Sequence, residues 1–440
     1  MQSELRPLGD FVTLASGNTP SKANADYWGG GTPWVSAKDM GDFWVEDAED
    51  HLTPEGVAVA SRLVPAGTVL LLVRGMTLHK RVPICKLAKA ATFNQDVKAV
   101  QPKAGFSGRF LPYLLVGNHD RLHELVDSAG HGTGRLNTDA LLSFPVFVPS
   151  RAQQDGIADI GEAFDDRLRL LRQTNATLES IAQALFKSWF IDFDPVRAKA
   201  EGREPEGMDA ATAALFPADF VHSELGPVPR GWRVQPIGDL VDAVGGSTPD
   251  TKNEAFWEPA VHHWTSPKDL SGATAPVLLD TERRVSNAGL AKISSGLLPV
   301  GTLLMSSRAP IGYLSLSQVP VAINQGYIAM PPGGRLPPTY LYFWCQLNMG
   351  AIKGRANGST FMEISKKAFR PIPALLPSPE VVNRFQEFAI TVFSRVTANE
   401  RQARALAEVR DALLPRLVSG KLQLQEVEVE GEGEGEVAQA

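Results

Sequence analysis

GDFVTLASGNTPSKANADYWGGGTPWVSAKDM, residues 9–40, returns in altered form as GDLVDAVGGSTPDTKNEAFWEPAVHHWTSPKDL, residues 238–270. Placing Gly9 on Gly238 also matches Asp10 with Asp239, Gly17 with Gly246, Thr19–Pro20 with Thr248–Pro249 and Trp28 with Trp257. One inserted residue later, Trp34 meets Trp264, Ser36 meets Ser266 and Lys38–Asp39 meets Lys268–Asp269. The match resumes at VPAGTVLLLVRG (64–75) with LPVGTLLMSSRA (298–309), at FNQD (93–96) with INQG (323–326), and at FPVFVPS (144–150) with IPALLPS (372–378). A period this long exceeds the ~20–50 residues of a solenoid unit. The chain is therefore a duplicated domain. Two similar but unequal domains in one chain suggest a device that reads two different things at a set separation.

After each Pro-Ser comes a long helical pattern. Apolar residues recur at steps of three and four through Ile157, Ile160, Phe164, Leu168, Leu171, Leu178, Ile181 and Leu185, with Asn175 filling the single gap. The second copy reads Phe385, Phe388, Val392, Val396, Asn399, Ala403, Leu406, Val409, Leu413 and Leu417. One asparagine in an otherwise apolar seam weakens a coiled coil but fixes its register. Each helix thus expects a partner, and the simplest partner is the other helix, running antiparallel. The competing reading is packing of each helix on its own domain.

Between these landmarks, short β-type runs such as Val69–Val73 and Pro145–Val148 alternate with Gly-rich breaks, and helical patches occupy 113–126 and 340–352. The fold class expected is α+β: two tandem mixed α/β domains, each followed by a long helix. The boundaries expected are a first domain over 1–148, a helix over 149–200, a linker over 201–228, a second domain over 229–376, a helix over 377–425 and a disordered acidic tail over 426–440.

The formal net charge of −6 argues at first sight against a polyanionic partner, but the tail carries six glutamates and no base, so the remainder is neutral. Charge is uneven within that remainder. Residues 74–109 hold eight Lys/Arg and one acid, whereas 39–55 hold seven acids and no base. Local basic patches can bind phosphates on an acidic chain, although a solvated charged face is the commoner meaning of such a run. The candidate DNA-binding cations are Lys80, Arg81, Arg135, Arg308, Lys353 and Arg355. Arg308 matches Arg74 across the repeat, and a structural salt bridge there is as good a reading as a shared contact. Gly130–Arg135 and Asn357–Thr360 read as loops entering a helix, where a phosphate could meet backbone amides or where Thr133, Ser359 or Thr360 simply caps.

The remaining signals narrow the classes. Cys85 and Cys345 lie far apart and form no CxxC pair, which fits buried thiols in a reducing cytoplasm. His119 with His123, and His262 with His263, lack the carboxylate that a metalloprotease pattern needs, so packing roles are expected. The tryptophan pairs read as core first and base-stacking platforms second. No hydrolase elbow, Walker loop or deaminase signature occurs. The PPGG and PPTY strings at 331–334 and 337–340 lack the acid or amide that an amino-methyltransferase places before Pro-Pro. The start shows no basic region followed by an apolar core, and no stretch is apolar for long enough to span a bilayer, so a cytoplasmic location is expected.

ALFKSWFIDFDPVRAKAEG (184–202) resembles the central conserved region of specificity subunits of type I restriction–modification systems, and ALLPRLVSGKL (412–422) resembles their C-terminal conserved region. The GD…GxTP openings look like the start of their target recognition domains. The first copy departs from the family's GST loop, with GHGTGR at 130–135. The resemblance implies a non-catalytic subunit that binds double-stranded DNA at a bipartite, asymmetric site, with the two helices setting the spacer. It implies recruitment of two modification subunits and of restriction subunits, with the helical bundle and the aromatic segment 189–193 as docking elements. No cofactor is implied for this chain; S-adenosylmethionine, ATP and Mg2+ would belong to the partner subunits. The rival classes are a stand-alone methyltransferase or nuclease and a coiled-coil adaptor that binds only proteins.

Overall fold

The structure, a computed structural model, describes residues 5–424 apart from 61, 130, 131, 309 and 359–361. The acidic tail and the candidate caps Ser359 and Thr360 therefore lie outside the described residues. The chain divides into two compact units, Met1–Leu168 with Ala405–Ala440, and Arg169–Arg404.

The first unit is built on a five-stranded sheet in the order Val12–Ser16, Val97–Pro102, Val69–Leu72, Ile84–Leu87, Trp44–Val45. Its middle strand, Val-Leu-Leu-Leu, is buried at every position, as a central strand covered on both faces must be. A three-stranded sheet pairs Asp50–Leu52, Trp28–Val35 and Thr92–Phe93, and another pairs Val126–Ala129, Thr133–Leu136 and Arg74–Gly75. The second unit repeats the plan. Leu303–Ser306, again wholly buried, lies inside a four-stranded sheet with Val277–Leu278, Leu314–Ser317 and Tyr327–Met330. In both units the helical patch breaks at an asparagine. Asn118 and Asn348 each donate their side-chain amide to the carbonyl four residues back, at 2.8 Å, ending one helix where the next begins.

Residues 201–228, expected as a linker, hold ordered elements of the second unit. Asp209 caps the helix Ala210–Ala214, and Phe220–Ser223 pairs with Gly226–Pro229. Phe216 and Val228 join Trp232 in the core there, which is why the segment folds down.

The two long helices span Arg151–Lys187 and Pro379–Val418. Within the second unit, Asn399 donates to Asn175 at 2.8 Å, and the Phe186 and Phe385 rings lie 5.4 Å apart. Within the first unit, Arg410 meets Asp165 at 2.9 Å, and Ile157 and Ala158 share a core with Leu414, Leu417 and Val418. Numbers rise along one helix as they fall along the other, so the pairing is antiparallel in both units. Of the expected seam, Ile157, Leu168, Leu171, Asn175, Phe385, Val392 and Asn399 are buried. Ile160, Phe164, Leu178, Phe388, Leu406 and Leu413 are partly so. Two expected positions are wrong: Ile181 is 52% and Val409 53% exposed. Ala182, Phe186 and Leu414 are buried instead. A 3.6-residue helix drifts off a strict 3.5 repeat, and the drift hands the seam to the neighbouring residue.

The polar members of the seam are matched. Asp165 is 3% exposed and takes hydrogen bonds from Tyr113 and Arg410. Burial pushes its carboxyl up, against the pull of the Arg410 guanidinium.

Two predictions follow from this seam. Asn399→Leu strands the Asn175 amide and should lower stability by about 1–3 kcal/mol, whereas the Asn175→Leu/Asn399→Leu pair should recover most of the loss; additive losses in chemical unfolding would contradict the pairing. Arg410→Met removes the cation that opposes burial at Asp165, raising the folded carboxyl pKa further. A folded pKa above the unfolded value makes stability fall as pH climbs past about 4. The deficit of Arg410→Met against the native chain should therefore widen between pH 4 and pH 7 in thermal unfolding.

Candidate nucleic-acid interface

Two loops meet at the same place in each unit. In the first, a Cβ on Gly17 would stand 1.9 Å from the Phe93 carbonyl oxygen; in the second, a Cβ on Gly246 would stand 1.7 Å from that of Ile323. Only glycine permits this approach. It lets Asn18 and Ser247 donate backbone N–H to those carbonyls, at 3.0 and 3.1 Å. Next along the chain, Thr19 donates to Gln95 at 2.6 Å and Thr248 to Gln325 at 2.7 Å. The tryptophan pairs clamp the same loops. Trp28 and Trp34 pack edge to face at 5.2 Å and donate to the Ser21 and Asn18 carbonyls. Trp257 and Trp264 do likewise at 5.2 Å, donating to Asp250 and Ser247. A cation covers each pair, Lys22 over Trp28 at 5.1 Å and Arg283 over Trp257 at 3.4 Å. Their role is to hold the GxTP loop, and the rings serve it from largely buried positions.

The basic run 74–109 separates into engaged and unengaged groups. Arg109 binds Asp159 and Glu162 on the long helix, and Lys86 lies 3.7 Å from Glu162. Lys89 pairs with Asp47 and, as the largest influence, holds its carboxyl at about 2. Lys38 takes Glu49 and Asp50 from the acidic run. Arg81 is likewise committed, donating to the Met40 and Gly41 carbonyls at 2.9 Å, so it ties down a loop. Lys80 and Arg74 are exposed and carry no side-chain partner among the described residues.

Residues 133–136 correct the sequence reading. They form a strand, and the helix that follows, Thr138–Ser143, is capped by Asn137. Thr133 lies in the strand, away from that cap. In the second unit the cap of Lys366–Phe369 is Ser365. The strand Thr133–Leu136 carries Arg135 to the surface, with Arg135 directly opposite Arg74. Arg308 lies 3.8 Å from Glu363, which realises the salt-bridge reading of that residue. Lys353 and Arg355 are exposed at the end of Met349–Gly354, and Arg355 lines a cavity of about 330 Å³ with Phe186, Tyr340 and Trp344.

The histidines serve packing. His123 bonds the Leu78 carbonyl and His119 accepts from the Val82 amide. Cys85 is buried, its thiol pushed up to about 12 by burial. Trp189 and Phe190 are 6% and 3% exposed, locked among Phe186, Phe216, Tyr340 and Phe385. Within the segment 189–193, Ile191 is the exposed residue, at 42%. No helix among the described residues is long and apolar enough to cross a membrane.

The architecture is that of a tandem-repeat protein: two mixed α/β units with paired long helices, a repeated loop frame and unlike surface charges. The family model of the type I restriction modification DNA specificity domain matches residues 2–180 and 229–406. The chain belongs to the family of type I restriction–modification specificity subunits. It is 30% identical, over 71% of its length and 77% of the relative's, to the specificity subunit of the type I restriction enzyme HindI from Haemophilus influenzae. It is 26% identical, over 96% and 94%, to the MjaIX specificity subunit from Methanocaldococcus jannaschii. The crystal structure of the type I restriction–modification S subunit from M. genitalium shares its fold at 14% identity and a TM-score of 0.53, covering 94% of this chain and 95% of that one.

Gly246→Ala should destabilise the chain by on the order of 1–3 kcal/mol, because backbone must move. Gly31→Ala, whose Cβ meets nothing within 4 Å, is the control and should shift the unfolding midpoint far less.

Proposed function

We propose that this chain is the non-catalytic DNA-binding subunit of a type I restriction–modification complex, reading a bipartite, asymmetric site with one unit per half. The observation that carries this reading is the doubled specificity domain, in which one loop frame presents different exposed side chains in its two copies. Unlike readers give unlike half-sites. Recognition of base edges takes place in the major groove, the only groove that distinguishes all four base pairs. Lys80, Lys353 and Arg355, exposed and without ion-pair partners among the described residues, position the chain on phosphates.

The long helices, the first of 37 residues and roughly 55 Å at 1.5 Å per residue, set the spacer between half-sites. Two modification subunits dock on this chain and methylate adenine with S-adenosylmethionine. Restriction subunits supply ATP- and Mg2+-dependent translocation and cleavage. These cofactors belong to the partners.

Methylated adenines mapped genome-wide, with and without this gene, should reveal two short motifs at a constant gap that depend on it. Exchanging residues 229–376 for those of a relative should change one motif and leave the other. Absence of any gene-dependent motif, or one contiguous motif, would overturn the reading. A protein-only adaptor predicts no sequence-dependent retention of DNA even in the assembled complex.

A further inference from the structure

Beside the repeated loop frame lies one row of three residues that differs in charge between the units. In the first unit, three antiparallel strands place Asp127 opposite Arg135, and Arg135 opposite Arg74. In the second, backbone bridges place Asn357 opposite Glu363, and Glu363 opposite Arg308. Arg74 and Arg308 are sequence equivalents across the repeat. Directly opposed residues share a face of the sheet, so each row presents three side chains together: Asp–Arg–Arg in one unit, Asn–Glu–Arg in the other. The outer arginine is kept, and the middle charge is reversed.

We infer that the middle residue of this row, Arg135 in the first unit and Glu363 in the second, is a specificity-determining contact to a base edge. The inference rests on the proposed DNA-reading role and names the residues that carry it. Four observations support it. Arg135 stands between Asp127 and Arg74, so that one of its two cross-strand neighbours is a like charge, which is unfavourable on its own. It forms no ion pair among the described residues, with Asp127 or any other acid, so its guanidinium fork is available. The row is held to a rigid support: a Cβ on Gly134 would stand 2.7 Å from Leu78, and His79 bonds the Gly132 carbonyl at 2.7 Å.

The fourth observation is the sign reversal. A clamp on the sugar–phosphate backbone would need a cation in both units, since both halves of a duplex present the same phosphates. A carboxylate at that place is repelled by phosphate; toward DNA it can serve only a base amino group, beside its ion pair with Arg308. Arg fits the paired acceptors O6 and N7 of guanine, and Glu accepts from the amino group of cytosine. Glu363 is 45% exposed, and its contact to Arg308 at 3.8 Å is loose enough to leave carboxylate lone pairs free.

The test uses the full chain assembled with its modification subunits, selecting duplexes from a randomised DNA library. The native complex first establishes the two-part motif; if none is selected, the proposed function itself fails and the row is not at issue. Arg135→Gln should then erase preference for one G·C pair in one half-site, by about 5- to 150-fold in discrimination. Glu363→Gln should alter one position in the other half-site only. In each variant, the undisturbed half-site reports that the chain is folded. Arg135→Glu should replace the lost preference with a new one at that same position. The inference is overturned if either Gln variant leaves the motif unchanged. It is equally overturned if binding weakens alike for all sequences and the salt slope flattens by about one, which is the behaviour of a phosphate contact.

Discussion

The antiparallel pairing of the long helices is the constraint on which both units depend, because neither core is complete without the other repeat's helix. Leu414, Leu417 and Val418, from the end of the second helix, sit 1% exposed among the side chains of the first unit. Ala182 and Phe186, from the first helix, are fully buried among those of the second. The first unit is therefore discontinuous in sequence, closed by residues more than two hundred positions away from its body. The polar seam contacts follow from this. A buried Asn or Asp is tolerable only when its partner arrives in one register, so the Asn175–Asn399 and Asp165–Arg410 contacts oppose slippage by a turn, since a shift would leave charge or amide unmatched in an apolar setting.

Much of this was legible in the sequence, and the reasons are local. The duplication, the two helices and the asparagine on each seam are periodic or repeated features, which a single chain displays directly. The repeated Gly17 and Gly246 are visible in the sequence, but the approach of the Phe93 and Ile323 carbonyls to them is not. What failed depended on distant partners. The basic run 74–109 looked like one patch, yet its acids come from 47, 159 and 162 and cannot be paired by inspection. The strand over 133–136 was missed because its Gly-Thr-Gly composition reads as a turn, while its pairing with Arg74–Gly75 lies some sixty residues upstream. The burial of Trp189 and Phe190 was not legible either, because the core that covers them comes from Phe216, Tyr340 and Phe385, far along the chain.

The two units together separate what a duplicated reader must keep from what it is free to change. The kept parts are steric: glycines that admit a carbonyl, tryptophans that clamp a loop, asparagines that end a helix. Each touches backbone, so each would be needed whatever the protein contacts. The changed parts are exposed and electrostatic. At the middle of the three-strand row the charge passes from positive to negative while the backbone pairing around it persists, with Arg74–Arg135 and Arg308–Glu363 in the same relation. A surface position with no contact role would be expected to drift among neutral residues or to neutralise its neighbour. Glu363 does the latter for Arg308, but Arg135 stands between the acid Asp127 and the like charge of Arg74. Local charge balance accounts for Glu363 beside Arg308 but leaves Arg135 in no ion pair among the described residues, whereas an external partner whose hydrogen-bonding pattern differs between the two halves accounts for each.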